Sequence, residues 1–340
     1  MQRWRLLGLA LAMVAGLAIA GTAADILTLY TAFDADQALP YIEAFEASHP
    51  EIDVQWVRLS SGEVLTRIEA EAANPQASIW FGGSNTSHIS AAKKGLLEPY
   101  KESLAWQYID PTFRDPDGLW IGLYVGYIGF VSNTESLAAL GVAAPTSWAD
   151  MLKPEFKGEI TIAYAFASGT AYTTLAGMLT AIGSPEPGFD ADDEVYVAAF
   201  SEQVGQYNNS GSAAATMVGQ GEFAVGCVFS HDIIKKAIAP GYPVVLTFPS
   251  EGTSYEIGGM ALIKGGPELE AAKVFYDWAM SKEAQDLYKE FFRVPLNPEA
   301  ELAEGLVKAS DVSVLPIDLT WYGDNKPAML DKWSEVTGEY

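Results

Sequence analysis

The chain has 340 residues, 49% of them hydrophobic, a single cysteine, and 20 basic against 44 acidic residues for a formal charge of −24. That charge excludes a nucleic-acid-binding role, which needs a basic face to displace counterions. One cysteine excludes an intrachain disulfide and any cysteine-based zinc site. The length exceeds the ~250–300 residues over which a single core usually grows, so two lobes are expected.

The N-terminus carries Arg3 and Arg5, an apolar run from Leu6 to Ala20, and small residues through Ala24. The run is shorter than the ~20 residues that span a bilayer, and Ala18-Ile19-Ala20 and Thr22-Ala23-Ala24 read as cleavage signals. Residues 1–24 are predicted to be a removed secretion signal, with soluble release into the periplasm.

From Asp25 to Tyr30 an apolar-rich stretch reads as a strand, followed by the loop Thr31–Ala35 and a helix with Leu39, Ile42 and Phe45 on one face. Ile52–Val57 alternates as a second strand, Val64, Leu65, Ile68 and Ala72 recur at helical spacing, and Ser78–Phe81 gives a third strand. Gly82-Gly83 ends that strand, and Ser84 or Asn85 is placed to cap the next helix. This alternation predicts a parallel α/β sheet whose ligand loops lie beyond the strand carboxyl ends, at Thr31–Asp34 and Gly82–Thr86. The run Leu119–Val131, punctuated by Gly122, Gly126 and Gly129, is expected to cross between lobes, with those glycines giving bending room.

In the second half Gly158–Ala163 reads as a strand, and Ser168-Gly169-Thr170 and Ser210-Gly211-Ser212 each precede a helix, one running towards Ile182 and the other through Val218. Glu222–Phe229 reads as a buried strand, with Ser230-His231-Asp232 on the loop at its carboxyl end and a helix beginning near Ile233. The expected division is lobe 1 from 25–128 with about 260–300, and lobe 2 from 129–259 with about 301–340.

Three stretches resemble the bacterial extracellular solute-binding proteins of the ferric-iron, polyamine and phosphonate type that serve ATP-driven importers. They are Ser87–Pro99, Ser147–Ile160, and Glu270–Met280 together with Val294–Pro298. The resemblance implies the two-lobed type II periplasmic-binding-protein fold, a small-molecule ligand closed between the lobes, an inner-membrane ABC permease as partner, a monomer, and neither catalysis nor a cofactor. Iron-binding members carry adjacent tyrosines where this chain reads Phe229-Ser230-His231-Asp232. That stretch, with Gly252–Met260 after it, is instead similar to the hexose-phosphate branch, where a His-Asp pair and a nearby Glu hold sugar hydroxyls.

Candidate ligand contacts follow from both lines. Ser168, Gly169 and Thr170, and Ser210 and Gly211 with Asn209 and Ser212 beside them, offer hydroxyls and helix-start N–H groups of the kind an anion needs. His231, Asp232 and Glu256 offer hydroxyl partners, Glu256 being an acid in an otherwise apolar, glycine-rich strand. Thr31, Phe33, Asp34, Ser84 and Asn85 are assigned from strand-end topology and the resemblance, and Tyr124, Tyr127, Trp120 and Tyr322 are aromatic candidates. Ferric iron or another metal, held by His231, Asp232, Tyr255, Glu256 or Tyr322, stays open as an alternative, as do phosphonate, thiamine and polyamine. An enzyme is not expected. Ser230, His231 and Asp232 are consecutive and cannot form a relay, and no nucleophile elbow, P-loop or His-Glu-x-x-His motif occurs.

Overall fold

A computed structural model describes residues 25–182 and 188–340, so the predicted secretion signal lies outside the described residues. The chain opens β1 (Asp25–Thr31), α1 (Ala35–Ser48), β2 (Ile52–Arg58), α2 (Ser61–Ala70), β3 (Ile79–Ser84) and α3 (Asn85–Lys93), the alternation its hydrophobic periodicity predicts. After the short β4 (Leu97–Glu98) come β5 (Ile121–Asn133) and α4 (Thr134–Leu140). The second half holds β6 (Ile160–Ala163), α5 (Gly169–Ile182), α6 (Ala191–Ser201), β7 (Val204–Asn208), α7 (Ala213–Gly219) and β8 (Val225–Phe229). Then follow α8 (Ser230–Ile233), β9 (Val244–Thr247), β10 (Tyr255–Ile263), α9 (Leu269–Ala279), α10 (Lys282–Asp286), β11 (Val294–Pro295), α11 (Leu319–Asp324) and α12 (Lys326–Thr337).

The main strand order is β2-β1-β3-β10-β5-β8-β6-β7. β1, β2 and β3 are parallel, as are β6, β7 and β8, whereas β10 and β5 run antiparallel to their neighbours. β5 joins two sheets because it changes partners along its length. Ile121–Tyr127 pairs with β10, and Ile128–Ser132 pairs with β8. The central parallel strands β3, β6 and β8 are buried along their length, whereas the edge strands β2 and β7 are part exposed. In β1, Leu27 and Leu29 pack with Phe45 and Phe275, while Tyr30 packs on the other side with Val64 and Ile68. Phe130, Trp148, Phe156 and Ile160 build a separate core under the second sheet.

Strand pairing and helix packing bear on where the chain divides. β10 pairs along its length with first-sheet strands, so Tyr255–Gly259 belong with the first sheet and not the second. The C-terminal segment does not sit with one half, because α11 packs on α3 while α12 packs on both α6 and α3. None of Gly122, Gly126 or Gly129 takes a positive φ. Gly126 is required for space, since a Cβ there would lie 2.6 Å from the His231 ring.

The halves meet along a tight seam beside α2. Gly62 N–H donates to Ala167 O at 3.0 Å, and a Cβ on Gly62 would sit 2.0 Å from Phe166 O. Deep in the second core, Cys227 is 1% exposed and burial pushes its thiol pKa up. The native protein is therefore expected to resist a thiol-specific reagent and to release one equivalent of signal only on unfolding. Rapid modification of the native protein would contradict this packing.

Candidate functional site

Between the halves lies a narrow, polar cleft. One end is built from hydroxyls, helix-start amides and Arg58, with Lys236 bonded to the lining residues Asp34 and Ser212. Ser60 and Ser61 open α2, Ser168, Gly169 and Thr170 open α5, and Ser210, Gly211 and Ser212 precede α7. Gly169 and Thr170 stand in the first turn of α5, where N–H groups have no intrahelical acceptor. Ser168 Oγ accepts only a long contact from Ala171 N at 3.5 Å, so it is barely used as a cap. Ser60 Oγ donates across the seam to Asn209 O at 2.8 Å, while its own N–H is held by Glu63 at 2.7 Å.

Arg58, at the carboxyl end of β2, donates to Asp34 Oδ1 at 2.7 Å and to Ser210 Oγ at 3.1 Å. Lys236, on the π-helical turn Ile234–Ile238, pairs with Asp34 Oδ2 and donates to Ser212 Oγ at 3.0 Å. Burial works against charge on Asp34, but Lys236, Ser212 and Arg58 outweigh it and hold its pKa at about 2.

The other end is a buried polar cluster around Arg293, which is 4% exposed. Its guanidinium lies 4.9 Å from the Phe33 ring centroid and 4.8 Å from that of Tyr124. Nη2 donates to Gln37 Oε1 at 2.8 Å and stands 4.0 Å from Asp232 Oδ1, while Nε and Nη1 have no protein partner. Phe292, the one non-glycine with positive φ among the described residues, makes the turn that aims Arg293 inward, a conformation costing roughly 1–2 kcal/mol. β11 then pairs with β5 at Tyr124 and Val125, fixing Arg293 beside Tyr124.

Asp232 accepts from Gln37 Nε2 at 3.3 Å, and Glu256 accepts from the Tyr124 hydroxyl at 3.2 Å. Burial raises the pKa of both acids, that of Glu256 to about 8, although Arg293 opposes the rise. Burial, with Arg293 and Lys236 beside it, pushes the His231 pKa well down, so the imidazole is neutral. Its Nε2 is 3.7 Å from Asp232 Oδ2 and its Nδ1 has no partner. This end therefore presents carboxyl oxygens, an imidazole and a phenol, the groups that pair with hydroxyls.

Asp34, Ser168, Gly169, Thr170, Ser210, Gly211, His231, Asp232 and Glu256 all line the cleft. His231 and Asp232 stand in the first turn of α8, which begins at Ser230 directly after β8 and not near Ile233. Four expected contacts do not line it. The Thr31 hydroxyl is turned to the Phe33 N–H at 3.1 Å, and Phe33 is a core ring packed on Phe81 and Tyr41. Ser84 bonds Thr86 at 3.1 Å within α3's first turn. Asn85 faces a separate groove with Trp120 and Tyr255, on the side of β10 opposite Glu256 because side chains alternate along a strand. Among the aromatic candidates Tyr124 lines the cleft, whereas Tyr127 pairs with Tyr255 in the β5–β10 ladder and Tyr322 packs beside Thr180.

Sequence reasoning missed Arg58, Ser60, Ser61, Gln37, Lys236 and Arg293. The strand-end rule that selected the loops after β1 and β3 applies equally to β2, whose end is Arg58. Arg293 had the same signal as Glu256, a lone charge in an apolar run, Phe291-Phe292-Arg293-Val294-Pro295.

Residues 40–313 match the family model described as bacterial extracellular solute-binding protein, and the chain belongs to that family. It is 34% identical to an uncharacterized Haemophilus influenzae protein, with 94% of each chain covered. It is 28% identical to the probable ABC transporter periplasmic-binding protein y4fP of Sinorhizobium fredii, over 91% of this chain and 85% of that one. Among solved structures, the periplasmic binding protein AfuA from Actinobacillus pleuropneumoniae, with fructose-6-phosphate bound, superposes with a TM-score of 0.87 at 32% identity, covering 93% of this chain and 99% of that one. A ferric binding protein from Campylobacter jejuni, at 20% identity, TM-score 0.74 and coverage of 91% and 99%, shares the fold. The protein is thus a two-lobed solute-binding component of an ABC importer and not an enzyme.

The raised Glu256 pKa has a consequence for stability. A carboxyl that holds its proton more tightly folded than unfolded contributes fully below its ordinary value of 4.5, and that contribution is lost as pH rises towards about 8. Buried neutral His231 acts oppositely below its ordinary 6.5, so the two are separated by a variant. The melting temperature of the wild type minus that of Glu256→Gln is expected to fall steadily from pH 4.5 to 8. A difference independent of pH would contradict the buried, protonated acid.

Proposed function

We propose that this protein captures a small phosphorylated sugar of the hexose 6-phosphate type in the periplasm and delivers it, as a monomer, to an inner-membrane ABC permease. The observation that carries this reading is the two-ended cleft. Hydroxyls, helix-start amides and Arg58 with Lys236 gather at one end, and His231, Asp232, Glu256 and Tyr124 at the other. A phosphoryl group is matched to the first end and ring hydroxyls to the second. AfuA, crystallised with fructose-6-phosphate, supports the same assignment. Residues 1–24 act as the secretion signal. The moving bodies are 25–127 with 255–300, and 128–254, closing across the Gly62–Ala167 seam, with α11 and α12 straddling both.

A metal-binding reading has less support. Among the described residues no three His, Cys, Asp or Glu side chains group as metal ligands, and Tyr255 and Tyr322 lie away from His231. Phosphonates fit the anionic end but leave the hydroxyl-binding end without partners.

Hexose 6-phosphates are expected to raise the melting temperature by an amount that neither the free hexose nor inorganic phosphate matches. Asp232→Ala, which leaves Arg293 short of a counter-charge, is expected to weaken that binding by roughly 2–5 kcal/mol in titration calorimetry. No shift across a panel of phosphosugars, or unaltered affinity in the variant, would contradict the reading.

A further inference from the structure

Asp34 occupies the N-cap position of α1, yet its side chain caps no helix N–H. Its two oxygens face donors from both halves of the molecule. Oδ1 takes Arg58 Nη2 at 2.7 Å, and Oδ2 takes Ser212 Oγ at 2.5 Å together with Lys236 Nζ. Asp232, one turn before Lys236, also lines the cleft and faces Arg293 at 4.0 Å. The carboxylate therefore stands among the donors that an anion in this cleft would recruit. An anion drawing on Arg58 or Lys236 comes alongside a fixed negative group that accepts hydrogen bonds and donates none.

Two acceptors at contact distance repel unless a proton lies between them. A phosphate monoester has its second ionisation near pH ~6 and brings such a proton at small cost near neutrality. A sulfate monoester of the same sugar has the same shape and no proton to give.

Resting on the phosphosugar reading above, we propose that Asp34 is the specificity-determining residue that admits phosphate esters and rejects sulfate esters, by accepting a hydrogen bond from the singly protonated phosphoryl group. The two cations supply attraction for any anion, and Asp34 makes attraction conditional on a proton. This gives the carboxylate a purpose that helix capping does not, since its capping role is unused.

The test is calorimetric titration of the full chain with glucose 6-phosphate and glucose 6-sulfate, in the wild type and in Asp34→Asn. The wild type is expected to prefer the phosphate by at least about 100-fold, since a like-charge contact is heavily penalised. Its phosphate affinity is expected to fall by up to about tenfold per pH unit above the phosphate pKa. In Asp34→Asn, whose amide can donate, the preference is expected to drop below about tenfold and the pH slope to flatten. If that variant does not fold, as judged by circular dichroism, Asp34→Ser replaces it, and the wild-type ester preference and pH slope decide in either case. Wild type binding both esters within tenfold, or a folded variant keeping the wild-type preference, overturns the assignment while leaving the phosphosugar reading intact. Binding of neither ester overturns both.

Discussion

A guanidinium almost sealed from water has to be neutralised where it lies, and Arg293 imposes that requirement on the floor of the cleft. Two aromatic faces, one amide oxygen and two acids surround it, drawn from the β1–α1 loop, α1, β5, α8 and β10. The two acids cannot both ionise comfortably against a single cation in so dry a place, which is why burial raises both and leaves Glu256 protonated near neutrality. A hydroxyl-rich ligand entering here replaces water with fixed partners. The Nε and Nη1 groups of Arg293 and the Nδ1 of His231 have no protein partners.

The fold brings these groups together by crossing strands and not by sequence proximity. β5 carries Tyr124 three residues before its pairing passes from β10 to β8, β10 lies antiparallel beside it with Glu256, and β11 delivers Arg293 along its edge. His231 fits only because Gly126 has no side chain. The anion-binding end is assembled differently, from parallel strand ends and helix starts. Its donors come from chain segments far apart, Arg58 and Ser60 beside β2 and Ser168–Thr170 and Ser212 at later helix starts, with Lys236 held on Asp34 and Ser212. On the proposed phosphosugar reading, a ligand that contacts groups from both bodies would couple binding to closure.

Much of this was legible in the sequence. The order β1-α1-β2-α2-β3-α3 is readable from alternating and helical periodicity, and the serine- and glycine-bearing helix starts at Ser168 and Ser210 reach the cleft as strand-end logic predicts. Glu256 was visible because a charge in an apolar strand demands a partner. Phe33 and Ser84 were misjudged because a strand-end loop presents only some of its residues to the mouth, and the rest serve the core or the next helix start. Arg58, Lys236 and Gln37 were hidden by their exposure-tolerant residue types, which ordinarily solvate a surface. Their role depends on the approach of chain segments far apart in sequence, as Lys236 and Asp34 are. The packing of C-terminal α11 on α3, and of α12 on both α6 and α3, was not legible for a related reason. A short helix with one apolar face does not say which of two bodies it will cover.

The account stands or falls on the chemical nature of the cargo. The most direct measurement is native mass spectrometry of protein purified from periplasm without denaturation, followed by identification of what it releases. The account predicts a sugar phosphomonoester bound at one equivalent. Release of ferric iron, or of a polyamine lacking any anionic group, would contradict it.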